Sequence, residues 1–150
     1  ARCYSFVGPY LPLNIHYAMG NFIRDALNGG PIKVLGDGTA LRSYLYTSDL
    51  TIWLWTILFR GQSCDLYNVG SEESITIYEL AKLIAKTSDK EIDVIVNQSS
   101  KTRISNDIYV PSTKKARTNL SIKQNIDLKL AIERTMLHIK ENKSLYNLSI

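Results

Sequence analysis

Apolar residues recur along this chain at two spacings, and the two spacings alternate. Short apolar or alternating runs typical of strands are followed by stretches in which apolar residues return every three or four positions, as on one face of a helix. We predict strands at 1–8, 32–35, 43–46, 65–69, 92–96 and 108–110, and helices at 16–27, 47–59, from 76 onward, 111–120 and 126–140. This alternation predicts an α/β fold. The strands are few and short for a complete doubly wound sheet, so we expect part of a larger fold.

Local signals support the helix boundaries. Asn28-Gly29-Gly30 is a typical helix stop, and Thr76 followed by Glu79 is a capping box. Thr47-Ser48-Asp49 supplies N-cap chemistry for the helix that runs to Phe59. That helix is apolar on nearly every side, which predicts that it is buried.

Composition narrows the class of protein. The chain has 150 residues, 45% of them hydrophobic and 21% charged, as in an ordinary soluble domain. The apolar run Ile52–Phe59 is too short to cross a bilayer, so we expect a cytoplasmic protein without a membrane partner. Cys3 and Cys64 lie in apolar surroundings and are predicted to be buried free thiols. Without a CxxC pair or a histidine cluster, no metal site is expected.

The net charge of +4 is compatible with an anionic partner. The positive charges are scattered except for Lys114, Lys115 and Arg117, and no nucleic-acid recognition motif accompanies them. We therefore do not expect nucleic acid to bind. Nucleic-acid binding by the basic patch at 114–117 remains a weaker alternative function.

Motifs of bond-breaking chemistry are missing from the sequence. It contains no GxSxG, no HExxH, no P-loop and no GxGxxG, and both His16 and His138 fall on or beside predicted helices. The pair Glu72-Glu73 is better explained as negative charge near a helix N-terminus than as an acid/base dyad. We predict no catalytic residue in this chain.

A binding site is better supported than a reaction centre. Arg42 follows the tight turn Gly36–Gly38, and its planar guanidinium suits a diphosphate, although a surface ion pair is the alternative. Arg103 and Asp107 lie in or beside a polar loop, where a mutual salt bridge is the alternative. Polar amides that could join such a site are Asn21 and Asn68.

Several segments together resemble the extended short-chain dehydrogenase/reductases that act on nucleotide sugars, the NAD-dependent epimerases, 4,6-dehydratases and decarboxylases. Residues 2–10 resemble R-x-x-N-x-x-G-P, residues 21–29 resemble N-F-I-x-x-A-L-x-G, and residues 31–38 resemble P-I-x-V-x-G-D-G. Residues 42–49 resemble R-[SD]-[FY]-x-Y-V-x-D, and residues 67–70 resemble Y-N-[IV]-G. Within this family, the sequence most resembles the dTDP-glucose 4,6-dehydratase-like group, because of Tyr109-Val110-Pro111-Ser112.

This resemblance implies the C-terminal part of a Rossmann-like extended enzyme, mainly its smaller substrate-binding subdomain. It implies that Arg42 contacts the diphosphate of a nucleotide sugar and that Asn21 lines the substrate pocket. The implied substrate-binding residues are Asn21, Val34, Leu35, Gly36, Arg42, Asn68, Arg103 and Asp107. Ser5, Gly8 and Pro9 would border the NAD nicotinamide, and the backbone at 34–36 would border the nucleotide base.

Two departures from the family pattern limit the functions that the resemblance implies for this chain. Ser5 stands where the family often has asparagine, and the resemblance leaves no counterpart for the family's first half, which carries its glycine-rich cofactor fingerprint and its catalytic Tyr-x-x-x-Lys pair. We therefore expect an N-terminal cofactor-binding half to complete a homodimeric parent enzyme. The chain alone is expected to be inactive and to expose apolar surface, with 52–59 as the candidate. A non-catalytic module that binds nucleotide sugars or anions is the second hypothesis.

Overall fold

Short strands and helices alternate along the part of the chain that the structure, a computed structural model, describes, residues 1–97 and 107–146. The strands are β1 (Arg2–Cys3), β2 (Phe6–Val7), β3 (Ile32–Leu35), β4 (Leu41–Arg42), β5 (Leu45–Tyr46), β6 (Asn68–Val69), β7 (Ile75–Thr76), β8 (Val94–Asn97) and β9 (Ile108–Tyr109). The helices are α1 (Ala18–Leu27), α2 (Thr47–Arg60), α3 (Ile77–Thr87), α4 (Lys114–Leu120) and α5 (Leu128–Glu141), followed by a 3₁₀ turn at Lys143–Tyr146. The predicted α/β class is confirmed.

Most strand pairs among the described residues are parallel. β1 pairs with β6, β2 with β5, and β3 with β8, each in parallel. β4 lies between two neighbours, antiparallel to β7 and parallel to β9. Parallel pairing requires crossover connections, which the intervening helices supply.

One predicted strand is divided in two, because the chain changes its pairing partner midway. Residues 1–8 were predicted as one buried strand, but β1 pairs with β6 and is exposed, whereas β2 pairs with β5. Of the strand predicted at 43–46, only Leu45–Tyr46 is extended, and the unpredicted strand β4 lies just before it, separated from it by the buried residues Ser43 and Tyr44. Of the strand predicted at 65–69, only Asn68–Val69 is extended in this way.

The buried side chains form two clusters. The larger one joins α1, α3 and α5 with β3, around fully buried residues such as Ile23, Ile32, Ile84 and Ile132. The smaller cluster joins α2, α4, β5 and β6 around Trp53 and Tyr67. The apolar stripe predicted for α5 is confirmed, since Leu128, Ala131, Ile132, Thr135 and Ile139 are all buried.

Helix α2 does not behave as its sequence predicts. Of its residues only Asp49 and Trp53 are buried, while Leu58 and Phe59 are 69% and 75% exposed, so the prediction of a buried helix is wrong for this chain. The expectation that segment 52–59 exposes apolar surface is confirmed. Trp55 and Phe59 stack on each other within this surface, with ring centroids 5.5 Å apart.

The N-cap role predicted for Thr47-Ser48-Asp49 is also wrong. The N-cap of α2 is Tyr46, which makes no side-chain capping bond. The Asp49 carboxylate instead accepts hydrogen bonds from the backbone N–H groups of Asn125 and Ile126, at 2.9 and 3.0 Å, and from the Asn125 amide at 2.9 Å. Trp53 Nε1 donates to the carbonyl of Lys123. Both side chains therefore fasten the α4–α5 connection onto α2.

The cysteine prediction is wrong as well. Cys3 and Cys64 are both free and exposed. Cys3 lies on the exposed strand β1, and Cys64 occupies a turn with φ of 60°, not a strand. Within the described residues, no helix is long and apolar enough to cross a membrane.

The capping box of α3 is confirmed. Glu79 N–H donates to the Thr76 hydroxyl, and the Glu79 carboxylate accepts from the Thr76 N–H at 3.0 Å and from its hydroxyl at 2.8 Å. These two bonds stabilise the charged form of Glu79 and lower its pKa below the ordinary value of 4.5. The capping contribution of the carboxylate is therefore present at neutral pH.

We expect Glu79→Gln to destabilise the protein at about pH 7 by less than about 1 kcal/mol, because the site is exposed. A lowered pKa in the folded state gives stability above the unfolded pKa, and that stability is lost as pH falls through the folded pKa. The difference from wild type should therefore shrink as pH falls below 4.5 and vanish once Glu79 is protonated in the folded protein, as measured by urea unfolding. Glu91→Gln, which changes an exposed glutamate, is the control. A difference that stays constant with pH would contradict the assignment.

Candidate functional site

A polar cavity of about 420 Å³ lies between α1 and β3. α1 packs its apolar face on the larger core cluster, which leaves its polar face at the cavity. β3 alternates buried and exposed residues, so Lys33 and Leu35 project on the side away from the core. The residues that line the cavity are Asn21, Arg24, Asp25, Asn28, Gly30, Pro31, Lys33 and Leu35. Two predicted site residues, Asn21 and Leu35, therefore meet here.

Arg24 connects the predicted residue Asn21 to its surroundings. Its Nη1 donates to Asn21 Oδ1 at 3.2 Å and to the Leu13 carbonyl at 3.1 Å. Its Nε and Nη2 donate to Asp25 Oδ1 at 3.1 and 2.8 Å. The guanidinium is thus held on three sides, and the amide oxygen of Asn21 faces it.

The glycine turn after β3 is shaped by packing and by one carboxylate. Gly38 has φ of 73°, and a Cβ there would lie 2.9 Å from Tyr78 Cβ, so no other residue fits without strain. Asp37 accepts bonds from the Thr39 N–H and hydroxyl, which lower the pKa of Asp37. Val34 is fully buried, backbone included, and presents no surface to a ligand, whereas a Cβ on Gly36 would meet open space.

Arg42 is engaged by Asp107. Arg42 Nη2 lies 2.5 Å from Asp107 Oδ2, and Nη1 donates to the carbonyls of Asp107 and Leu41 at 3.0 and 2.8 Å. β4 and β9 set this geometry because Leu41 and Arg42 pair with Ile108 and Tyr109. The ion pair considered for Arg42 is therefore present without ligand. Arg103, the other partner considered for Asp107, lies outside the described residues.

Tyr44, two positions after Arg42, is a neutral neighbour. Burial raises its pKa to about 12, although the positive charge of Arg42 acts in the opposite direction. The phenol therefore stays protonated at neutral pH.

The candidate cofactor residues flank β2, which is parallel to β5. Ser5 precedes β2 and accepts a bond from the Leu45 N–H, and Gly8 and Pro9 follow β2. A Cβ on Gly8 would lie 2.1 Å from Thr47 Oγ1, so contact with the start of α2 accounts for this glycine. In open α/β sheets, ligands bind at the carboxyl ends of parallel strands.

Asn68 and Glu72 both contact the segment at the start of α4. Asn68 Nδ2 donates to the Ser112 carbonyl, while its Oδ1 is buried without a partner. Glu72 accepts from the N–H of Thr113 and pairs with Arg117 at 2.7 Å. Glu72 thus places negative charge at a helix N-terminus, as expected. The helix is α4, however, and not α3, which is the next helix in the sequence.

The predicted residues within the described part of the chain therefore fall at four places: the α1–β3 cavity with the end of β3 beside it, the Arg42–Asp107 pair, the two sides of β2, and the contact of Asn68 with the segment before α4. Sequence reasoning missed Arg24 and Lys33. A usable signal existed for Arg24, since residues three apart on a helix share a face and Asn21 had been selected. No group of metal-ligating side chains occurs among residues 1–97 and 107–146.

Comparison with known proteins points to one family of enzymes. The model of the NAD dependent epimerase/dehydratase family matches residues 1–70. UDP-glucuronic acid decarboxylase 2 of Arabidopsis thaliana is 31% identical over 94 residues, which cover 63% of this chain and 21% of that protein. The matched relatives include nucleotide-sugar decarboxylases, dehydratases and epimerases.

Solved structures with the same fold include two epimerases. One, from Methanothermobacter thermautotrophicus, has a TM-score of 0.85 and 24% identity, covering 99% of this chain and 44% of its own. The other is the UDP-glucuronic acid 4-epimerase of Bacillus cereus in complex with UDP-glucuronic acid and NAD. It has a TM-score of 0.78 and 22% identity, covering 93% of this chain and 44% of its own. The chain thus spans about a fifth of that curated relative and less than half of these solved chains.

Proposed function

We propose that this chain is the C-terminal, nucleotide-sugar-binding part of a protein of the NAD-dependent epimerase/dehydratase family. One observation carries the proposal. Asn21 and Leu35, selected from separate sequence motifs, line the same cavity together with the cationic residues Arg24 and Lys33. The volume of about 420 Å³ suits a small-molecule ligand. The positive charge at the cavity favours an anion such as a diphosphate.

Each candidate residue has a role in this proposal. Arg42 grips the diphosphate, Asn21 contacts the ligand in the cavity, and Leu35 and Gly36 border the base, with the buried Val34 supporting them from the core. Asp107 and Arg103 approach the ribose and phosphate, and Asn68 supports the strand end. Arg42 donates one bond to the Asp107 carboxylate and one to the Asp107 backbone carbonyl. A diphosphate would replace the carboxylate as its partner, because a guanidinium can donate paired bonds to phosphate oxygens.

The two core clusters support a division of the chain into a substrate-binding part and a part that contacts the cofactor-binding half. The larger cluster, around α1, α3 and β3, would form the substrate-binding subdomain, because the cavity lies there. The smaller cluster, with α2, β5 and β6, would continue the sheet of a preceding cofactor-binding half. The exposed apolar side of α2 would pack against that half, and the parent would be a cytoplasmic homodimer.

NAD is the cofactor proposed for the complete protein, where it would remove and return a hydride. Gly8 and Pro9 fit a place at its edge, since they follow the carboxyl end of the parallel strand β2, and Ser5 would lie beside them at the start of that strand. These three residues supply no cation and no glycine-rich loop for its phosphates. The preceding half would therefore provide most of its site, and the chain alone would be inactive.

Isothermal titration of the chain and of the full-length protein with UDP-glucose, UDP-glucuronic acid and dTDP-glucose tests the proposal. We expect a dissociation constant of about 1 mM or tighter for at least one nucleotide sugar, and weaker binding of uridine, which lacks the diphosphate. Equal affinity for uridine, or no binding by the full-length protein, would overturn it.

A second measurement separates an enzyme from a non-catalytic binding module. The full-length protein with NAD should convert one of these nucleotide sugars to a dehydrated, epimerised or decarboxylated product, detected by mass spectrometry or by chromatography. Binding without conversion of any of them would favour the module.

A further inference from the structure

We infer that Arg24 is a positioning residue that makes Asn21 present only hydrogen-bond donors to the ligand cavity. This inference rests on the proposed function. It concerns which polar atoms the cavity offers, and therefore which ligand groups it accepts.

The argument begins with the two ends of the Asn21 amide. An asparagine side chain carries one carbonyl acceptor and one NH₂ donor group, and its orientation follows from its hydrogen-bond partners. Arg24 has donors only, and its Nη1 lies 3.2 Å from Asn21 Oδ1. The amide oxygen is therefore turned toward Arg24, and the NH₂ group is left for the cavity.

Arg24 is itself held firmly enough to impose this orientation. Asp25 accepts two bonds from it, and the Leu13 carbonyl accepts a third. The ion pair with Asp25 also neutralises much of its charge, and 31% of the Arg24 side chain is exposed. Arg24 thus acts on the ligand through Asn21, while Lys33 supplies the free cation of the cavity among the described residues.

A donor-only amide selects its ligand by chemistry. Phosphate oxygens and the carbonyl oxygens of a pyrimidine base accept hydrogen bonds, whereas an exocyclic amine of a base donates them and would meet another donor. A donor facing a donor leaves both unsatisfied, which costs binding. The cavity therefore favours an acceptor-rich nucleotide at this position.

Asn21→Asp tests the orientation while keeping the shape. A carboxylate still accepts from Arg24 but offers no donor to the cavity. We expect the thermal midpoint to stay at or above the wild-type value and the affinity of the full-length protein for its nucleotide sugar to fall about tenfold or more. Asn119→Asp, an exposed asparagine on α4 with the same change of charge, is the control and should leave affinity unchanged.

A double-mutant cycle tests whether Arg24 acts through Asn21. Arg24→Ala should weaken binding in the wild-type background and have little further effect in the Asn21→Ala background. Equal effects of Arg24→Ala in both backgrounds would overturn the inference, because they would mean direct ligand contact or a general structural role.

The failure of this inference is distinguishable from the failure of the proposed function. A protein that binds nucleotide sugar, but in which Asn21→Asp binds as tightly as wild type, overturns the positioning role and leaves the function standing. A wild-type protein that binds no nucleotide sugar overturns both.

Discussion

Asp49→Asn is expected to lower the free energy of unfolding by about 3 kcal/mol. Asp49 is 1% exposed and accepts three hydrogen bonds, two of them from backbone N–H groups. Hydrogen bonds to a charged group contribute about 1.5–3 kcal/mol each, and a buried donor that loses its acceptor costs more than the bond. The amide of the variant keeps one acceptor but turns a donor toward another donor.

Urea unfolding followed by circular dichroism measures this effect. Asp93→Asn is the matched control, because the Asp93 side chain is exposed, and it should change stability by less than about 0.5 kcal/mol. Equal stability of the two variants would mean that the 125–126 segment is not held by this carboxylate. Because Trp53 anchors the same segment at Lys123, variants at positions 49 and 53 should not be additive.

Arg42→Ala is expected to weaken nucleotide-sugar binding about ten- to hundredfold. Charge-assisted hydrogen bonds contribute about 1.5–3 kcal/mol, and each 1.4 kcal/mol is a factor of ten. The substitution also frees Asp107, which would then repel the diphosphate. Titration of the full-length protein gives the dissociation constant, and steady-state kinetics give the Michaelis constant.

Two further variants make the Arg42 result specific. Arg134→Ala removes an exposed arginine from α5 and should leave affinity unchanged. Asp107→Asn removes the carboxylate that competes for Arg42 while keeping its shape, and it should not reproduce the loss seen with Arg42→Ala. An unchanged Michaelis constant in the Arg42→Ala enzyme would show that this guanidinium does not grip the diphosphate.

Local features of the fold were predictable from sequence. The capping box at Thr76 and the apolar stripe of α5 depend on residues three or four positions apart, so the sequence shows them directly. Strand β3 was predicted at its observed bounds, 32–35, although the sequence does not show that the apolar Leu35 is exposed.

Features that depend on distant partners were not predictable. The strand predicted at 1–8 is divided because β1 pairs with β6 and β2 pairs with β5, and β4 was not predicted because its partners β7 and β9 are distant in sequence. Asp49 carries a typical N-cap side chain, and only the return of the chain 76 positions later shows what it binds. α2 was predicted to be buried because its side chains are apolar on nearly every side. The sequence does not show whether another part of the protein packs on those side chains.

The candidate site divides in the same way. Motif resemblance selected Asn21 and Leu35, which line one cavity. It also selected Arg42 and Asp107 as ligand-binding residues, but it did not predict that these two residues, 65 positions apart, form an ion pair with each other. Arg24 was missed because it falls at an unspecified position of the resembling motif, although its contact with Asn21 is local.

The exposed apolar side of α2 has a consequence for how the protein is made. A ribosome releases the N-terminal part of a chain first, and domains fold largely as units in that order. In the arrangement proposed above, the preceding half would already be folded when Leu58 and Phe59 leave the exit tunnel. The helix would then pack on the preceding half of its own chain as soon as it is synthesised. Produced without that half, the same exposed apolar surface would favour self-association of the chain.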